Sequence, residues 1–494
     1  MSDQAYQFMA ILAYFIAMIC IGLWANSKTK NLDDYMLGGR NLKPGVAALS
    51  AGASDMSGWL LMGLPGAVYL SGLVEAWLAI GLTAGAWVNW KIVAPRLRAY
   101  TEVSHNSITI PSFLDNRLKG NTRVLRVISG VIILMFFTFY VSSGMVAGGV
   151  FFQSSFGTSY QAGMLLVAGV TVLYTFFGGF LGASYTDLFQ GVLMLAALIL
   201  VPIVGVIMVG GPAEMVDRIE AVNPDALSLF AGGTAVGIIS SLAWGLGYFG
   251  QPHIIVRFMA LRTPGEAKVA RRIGIGWMFL TALGAICTAL IGVAYFADEP
   301  LSTADSETVF LLLSQIFFHP LIAGLVLAAV LAAIMSTMSS QMIVCSSALV
   351  EDLYNLMGRK GSPKSLVLLG RLGVLAVAVI AALLALNPDS SILELVAFAW
   401  AGFGGAFGPI ILLSLYWRKL TAVGAFAGMV SGAVVVFVWG NIAALSGVMY
   451  EIVPGFLVNL LVAWLVSRST YRPNETIESE FTAMEDEVGA KARA

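Results

Sequence analysis

The stretch SAGASDMSGWLLMGLPG, residues 50–66, places a carboxylate, Asp55, inside a run otherwise apolar enough to cross a membrane. Small and polar residues flank it, and a Pro-Gly pair follows. The surrounding chain has 494 residues, 58% hydrophobic and 11% charged, with a mean hydropathy of +0.86. Soluble domains carry roughly 25% charged residues, so this composition predicts an all-α integral membrane protein. Apolar runs of about 20 residues, the length that spans a bilayer as a helix, recur almost from end to end. No room is left for a soluble catalytic domain.

Counting runs of spanning length predicts thirteen transmembrane helices, near 6–25, 44–70, 73–95, 124–150, 160–182, 187–210, 230–258, 272–297, 318–350, 366–386, 391–416, 421–441 and 449–467, numbered here as spans 1 to 13. The opening MSDQAYQFMAILAYFIAMICIGLW is acidic at its start and about a full span long, so it reads as span 1 and not as a cleaved signal peptide. Cytoplasmic loops are enriched in Lys and Arg, which tests the count. The basic residues fall in alternate loops: Lys28 to Lys43, Lys91 to Arg126, Arg257 to Arg272, Arg359 to Arg371, Arg418 with Lys419, and Arg468 onward. Of the chain's 27 Lys and Arg, only Arg218 falls on the other side, where the loops carry Asp298, Glu299, Asp305 and Glu307. The N-terminus is therefore expected outside and the C-terminus in the cytoplasm. Residues 1–467 read as one transmembrane domain, and 468–494 as a tail that is most simply a solvated extension.

Span 2 enters near Pro44, and eleven residues at about 1.5 Å each set Asp55 roughly 16 Å deep, near the middle of a core about 30 Å thick. A charge there is costly and marks an ion path unless it merely caps a broken helix. Gly52, Ala53, Ser54, Ser57 and Gly58 favour the path, because they weaken the helix and leave backbone carbonyls free for a hard cation such as sodium. Broken helices occupy corresponding places in repeated transporter halves. Span 7 carries SLAWGLGYFGQPH, in which Gly245, Gly247, Gly250 and Pro252 interrupt the helix among Trp244 and Tyr248. Spans 2 and 7 are five apart, which predicts two inverted five-helix repeats, about 44–210 and 230–416. A third polar site lies in span 9, where Ser336, Thr337, Ser339 and Ser340 sit at or below mid-membrane. Hydroxyls in such helices also bond back to their own carbonyls or join helices together.

Other chemistry is poorly served. The phosphate-binding pattern GxxxxGK(S/T) and the HExxH zinc pattern are absent, so neither ATP hydrolysis nor metalloprotease chemistry is expected. Cys20, Cys287 and Cys345 show no CxxC spacing and read as small buried hydrophobes; His105, His253 and His319 are scattered. No second carboxylate or histidine stands in an apolar setting like that of Asp55. Asp187, nearer the cytoplasmic end of span 6, reads equally well as that helix's N-cap. A sensor would carry a signalling domain, and a channel would pass ions without solute. An ion gradient remains as the energy source.

At these residues the chain resembles the sodium/solute symporter family, and within it the bacterial proline-carrying branch. The likeness runs through LGGRNL, LSAGASDMSGWLLMGLPGAVYLSG, AWGLGYFGQPHIIVRFMA, LAAIMSTMSSQMIVCSSALVEDLY and AWAGFGGAFGP, and covers nearly the whole chain. It implies a leucine-transporter-type core of spans 2–11, about 44–416, working by alternating access in a bacterial inner membrane. It implies a sodium site from the carbonyls of Ala53 and Met56, with Ala333 and the hydroxyls of Ser336 and Thr337, and a need for Asp55 in sodium binding. Ser57 and Gly58 would adjoin both ion and substrate, with Trp59 beside them on the substrate side. Tyr140, Trp244, Tyr248 and Pro252 are associated with proline, and Arg40 and Asp187 with coupling. Sodium is then the co-transported ion and L-proline the substrate, with lipid as the surroundings. No enzymatic activity, organic cofactor, nucleic acid or obligate protein partner is expected. The alternative on the same fold is another small solute, such as pantothenate, a sugar or another amino acid.

Overall fold

The computed structural model describes residues 2–29, 32–120, 123–354, 362–386 and 391–492. Of the basic residues used to orient the chain, Lys30, Arg359, Lys360 and Arg493 lie outside the described residues. The described chain is a helical bundle in which nine helices are long and apolar enough to cross a membrane. Eight of them match single expected spans, among them Asp3–Asn26, Pro320–Tyr354, Ile392–Tyr416 and Ile452–Thr470. The ninth, Tyr160–Met208, holds spans 5 and 6 together and kinks at Gly179, whose φ of 55° and ψ of −155° glycine adopts without a Cβ clash. The join therefore comes earlier than expected. Asp187, read as a possible N-cap, lies inside the second half of this helix, eight residues beyond the kink, and caps nothing.

Spans 2, 3 and 7 are built from shorter pieces, and in each a proline follows a change of helix type. In span 2 the helix Pro44–Asp55 stops, Met56 leaves helical geometry at φ −78° and ψ 73°, and a wide turn, Trp59–Gly63, leads into Leu64–Ser71. Pro65 has no N–H to offer the carbonyl four residues back, which favours the wide turn before it. Span 3 repeats the device, with a wide turn at Asn89–Val93 ahead of Pro95 in Ala94–Val103. In span 7 the helix Ala235–Ala243 tightens into a 3-10 segment, Trp244–Gly250, and Gln251 is extended before Pro252–Met259 begins. A residue preceding proline is pushed out of the helical region, and Gln251 obeys.

Around these pieces, span 1 packs on the Tyr160–Met208 helix and on span 9, while spans 12 and 13 pair with each other and lean on span 11. Span 9 is the most buried of the nine long helices. The tail corrects the expectation of a solvated extension. Glu475–Ala492 is a helix that buries Phe481 and Met484 against Ala94–Val103 and neighbouring cytoplasmic loops. Ile477, Phe481, Met484 and Val488 recur at helical spacing, an amphipathic stripe overlooked among its acids. Burial of the cysteines holds only in part: Cys345 is buried, Cys287 half-buried and Cys20 exposed.

Candidate functional site: an ion and solute path between two broken helices

The break in span 2 meets span 9 through oxygen atoms. Ser336 donates its hydroxyl to the Ala53 carbonyl at 2.7 Å and lies 3.1 Å from the carbonyl of Ala333, which Thr337 reaches at 3.2 Å. Ser336 and Thr337 are both buried. Met56 turns out of the helix at the same level, so its carbonyl leaves the helical direction. The structure thus gathers the oxygens of Ala53, Ala333, Ser336 and Thr337, all neutral; for Met56 it shows only the turn out of the helix. Hard cations take oxygen ligands. A set without a carboxylate suits a singly charged ion that must also leave.

The Asp55 carboxylate points elsewhere, toward span 7. Its Oδ2 accepts the hydroxyl of Tyr248, and Oδ1 has no hydrogen-bond partner among the described residues. A cavity of about 20 Å³ lies against both side chains, lined also by Gly52, Trp90, Gly274 and Met278. Trp59 donates its indole N–H to the Asp55 carbonyl at 3.2 Å, and the Trp59 backbone N–H lies 3.4 Å from the Ser57 hydroxyl. Gly58 is wedged between spans 4 and 9: a Cβ there would come within 3.0 Å of Ala147 and 3.4 Å of Ile334. The two breaks therefore touch through one carboxylate–phenol pair.

The remaining expected residues are spread along this seam. Tyr140 is buried edge-on to His253, with ring centres 6.0 Å apart, next to Pro252. Trp244 stacks on Tyr450 at 5.1 Å. Arg40 donates to Asn106 at 2.8 Å, Thr101 at 3.0 Å, the Met259 carbonyl at 2.9 Å and the Ser107 carbonyl at 2.5 Å. It ties the segment before span 2 to the ends of spans 3 and 7.

Asp187 is fully buried and accepts Ser50 at 2.7 Å and Arg257 at 3.1 Å. Arg257 also donates to Ser50 at 3.0 Å and Ser340 at 2.6 Å. Two expectations are corrected here. Arg257, counted as a loop cation, is buried in the membrane pair, and Asp187 and His253 are titratable groups as deeply buried as Asp55. The missed signal was Asp187 itself, since a membrane carboxylate needs a cation and Arg257, between Val256 and Phe258, has apolar neighbours.

A search of protein families now bears on this geometry: the profile described as the sodium:solute symporter family matches residues 35–432. The chain belongs to the sodium:solute symporter family. Among curated relatives, it is 56% identical to the high-affinity proline transporter PutP of Bacillus subtilis (strain 168) over 470 residues, 95% of this chain and 99% of that one. It is 54% identical to the osmoregulated proline transporter OpuE of the same organism, covering 96% of each chain. It is 49% identical to the sodium/proline symporter of Staphylococcus aureus (strain NCTC 8325 / PS 47), over 98% of this chain and 96% of that one. Among solved structures, a Na+-coupled sialic acid symporter in a substrate-bound outward-open state superposes with a TM-score of 0.79 at 18% identity, covering 95% of this chain and 99% of that one. Mhp1, a nucleobase-cation-symport-1 family transporter, gives 0.55 at 15% identity, covering 91% and 98%. The fold is accordingly the leucine-transporter type, and this symporter-family chain is a multi-pass transporter and not an enzyme.

Proposed function

We propose that this chain couples inward sodium movement to uptake of L-proline by alternating access. The observation that carries the coupling is the Asp55–Tyr248 contact, which joins the break in span 2 to that in span 7 beside the Ser336–Ala53 oxygens. The full-length likeness to three proline carriers supports the substrate. Sodium takes the carbonyls of Ala53, Met56 and Ala333 with the hydroxyls of Ser336 and Thr337. An ion there holds the first half of span 2 against span 9, while Asp55 supplies the compensating charge and reports the ion's presence to Tyr248. Proline's carboxylate is met by N–H groups freed at the start of the second half of span 2, from Gly58 onward, and its ring and secondary ammonium by the faces of Trp59, Tyr140, Trp244 and Tyr248. Pro252 acts by setting the break, and Arg40 and Asp187 by holding the cytoplasmic half until release.

Thirteen spans account for the nine long helices once Tyr160–Met208 is divided in two and the broken spans 2, 3 and 7 are added. The alternating basic loops support a topology with the N-terminus outside a bacterial inner membrane and the tail in the cytoplasm. One cation entering down about 100 mV releases roughly 2.3 kcal/mol, and a tenfold sodium gradient adds about 1.4, so one-to-one coupling concentrates proline about 500-fold.

The test is uptake of labelled proline into proteoliposomes, with and without an inward sodium gradient and without ATP. Sodium-dependent accumulation above equilibrium is expected, together with its loss in an inserted Asp55→Ala protein. Unchanged uptake by that variant overturns the ion reading, and lack of competition by proline within a solute panel overturns the substrate.

A further inference from the structure

Span 11 supplies no residue to the site as read so far, although its motif AWAGFGGAFGP is among the most distinctive in the chain. Within Ile392–Tyr416, Trp400 is buried to 1% exposure beside the 3-10 segment of span 7. Its indole Nε1 donates to the carbonyl of Trp244, the first residue of that segment, at 2.8 Å. Its own carbonyl accepts Nε2 of Gln251, the residue just past the segment's end, at 3.0 Å. Between those two points, a Cβ on Gly247 would collide with the indole atoms, so only glycine lets the backbone lie on the ring. Tyr248 stands edge-on to the same indole, ring centres 5.1 Å apart at 85°, while its hydroxyl reaches Asp55.

A buried indole N–H needs an acceptor, and any nearby carbonyl would serve. Here one residue grips both ends of the unwound segment and braces the side chain in its middle. We infer that Trp400 is a positioning residue for the solute site, the template that fixes where Trp244 and Tyr248 present themselves. Loss of its N–H takes from the Trp244 carbonyl the hydrogen bond that ties the entry of the break to span 11, which loosens the segment and the ring of Tyr248 together. The inference rests on the reading of Trp244 and Tyr248 as solute residues.

The experiment compares Trp400→Phe, which keeps an aromatic ring and removes the N–H, with Tyr248→Phe and the parent in proteoliposomes, scaled to inserted protein. Loss of one buried hydrogen bond costs enough to shift binding by up to about tenfold. Half-saturation for proline is expected to rise by about that factor in Trp400→Phe, with half-saturation for sodium at saturating proline held within about twofold. A role in packing alone lowers the maximal rate and leaves proline half-saturation where it was, which overturns the inference. If Tyr248→Phe weakens proline and Trp400→Phe does not, the inference fails and the solute site stands; if neither does, both fail. Gly247→Ala, which pushes on the ring from the opposite side, is expected to weaken proline alone and to recover in part when combined with Trp400→Phe. Strict additivity of the two counts against the inference. Should Trp400→Phe fail to insert, Gln251→Met cuts the other end of the grip and carries the same expectation.

Discussion

The Asp187–Arg257 pair shows how much a single buried charge constrains its surroundings. Both side chains are withdrawn from solvent; Ser50 donates to Asp187, and Arg257 donates to Ser50 and Ser340, further hydrogen bonds that help make such a pair tolerable. Removing one partner strands the other. Arg257→Leu should therefore destabilise the protein by about 3–5 kcal/mol, and the double replacement Asp187→Leu with Arg257→Leu by clearly less, since neither charge is then left alone. Thermal unfolding in detergent of the two variants measures the difference, and equal losses would contradict the pairing. The Asp55 carboxylate has no such cation: among the described residues it accepts one side-chain hydrogen bond, from the Tyr248 hydroxyl, and its Oδ1 has no partner there.

Spans 2 and 7 are both interrupted among glycine and small residues, but only in span 7 does a proline, Pro252, directly follow the break; in span 2 the chain leaves the helix at Met56, and Leu64, the residue before Pro65, stays helical. Proline pushes the preceding residue out of helical geometry, as at Gln251. The bundle tolerates both interruptions because the residues around them are buried in protein, away from lipid. Pro252→Ala removes the restriction on Gln251, so the 3-10 segment gains helical continuity with Pro252–Met259. Slower hydrogen exchange at amides 250–254 and a several-fold fall in proline uptake are expected together. Normal uptake with slowed exchange would show that transport does not need the break. Positions of this kind are legible in a sequence, since proline and glycine act on their immediate neighbours. Which partner then receives the broken ends is not.

The tail helix Glu475–Ala492 ties distant cytoplasmic segments to one another. Glu478 and Glu485 reach Arg418 at 3.0 and 2.6 Å, and Glu480 reaches Lys119 at 2.6 Å. Phe481 sits edge-on to Tyr100, in a cleft where Arg117 and Arg418 lie over its ring. The charged pairs around Arg418 are partly exposed and contribute about 0–1 kcal/mol each, whereas full burial of a Phe side chain contributes about 1.5–3. Phe481→Ala should thus release the tail to limited proteolysis more readily than Glu478→Gln. Added potassium chloride should speed cleavage only modestly, because salt screens the pairs and leaves the apolar contact. A tail released by salt alone would reverse this ranking. Because Tyr100 and Thr101 lie on the same helix, Ala94–Val103, the docked tail also braces the element to which Arg40 is bonded.

Membrane residence and the two interruptions were legible in the sequence. Each follows from composition or from the local effect of residues on their neighbours: a run of apolar side chains partitions as a unit, and clustered glycine and small residues weaken the helix around them. The partners of individual side chains were settled only when the helices packed. Arg257 is an ordinary loop-edge arginine until the kink at Gly179 turns the second half of Tyr160–Met208 to bring Asp187 beside it. Trp400 is one of eleven tryptophans until span 11 lays it along the 3-10 segment of span 7. The tail is an acidic run until its four apolar residues find a cleft built from cytoplasmic segments hundreds of residues earlier. Hydrogen bonds and ion pairs act over a few ångströms, so their choice of partner depends on which distant segments the folded bundle brings within that reach, and no local reading of the chain contains that distance.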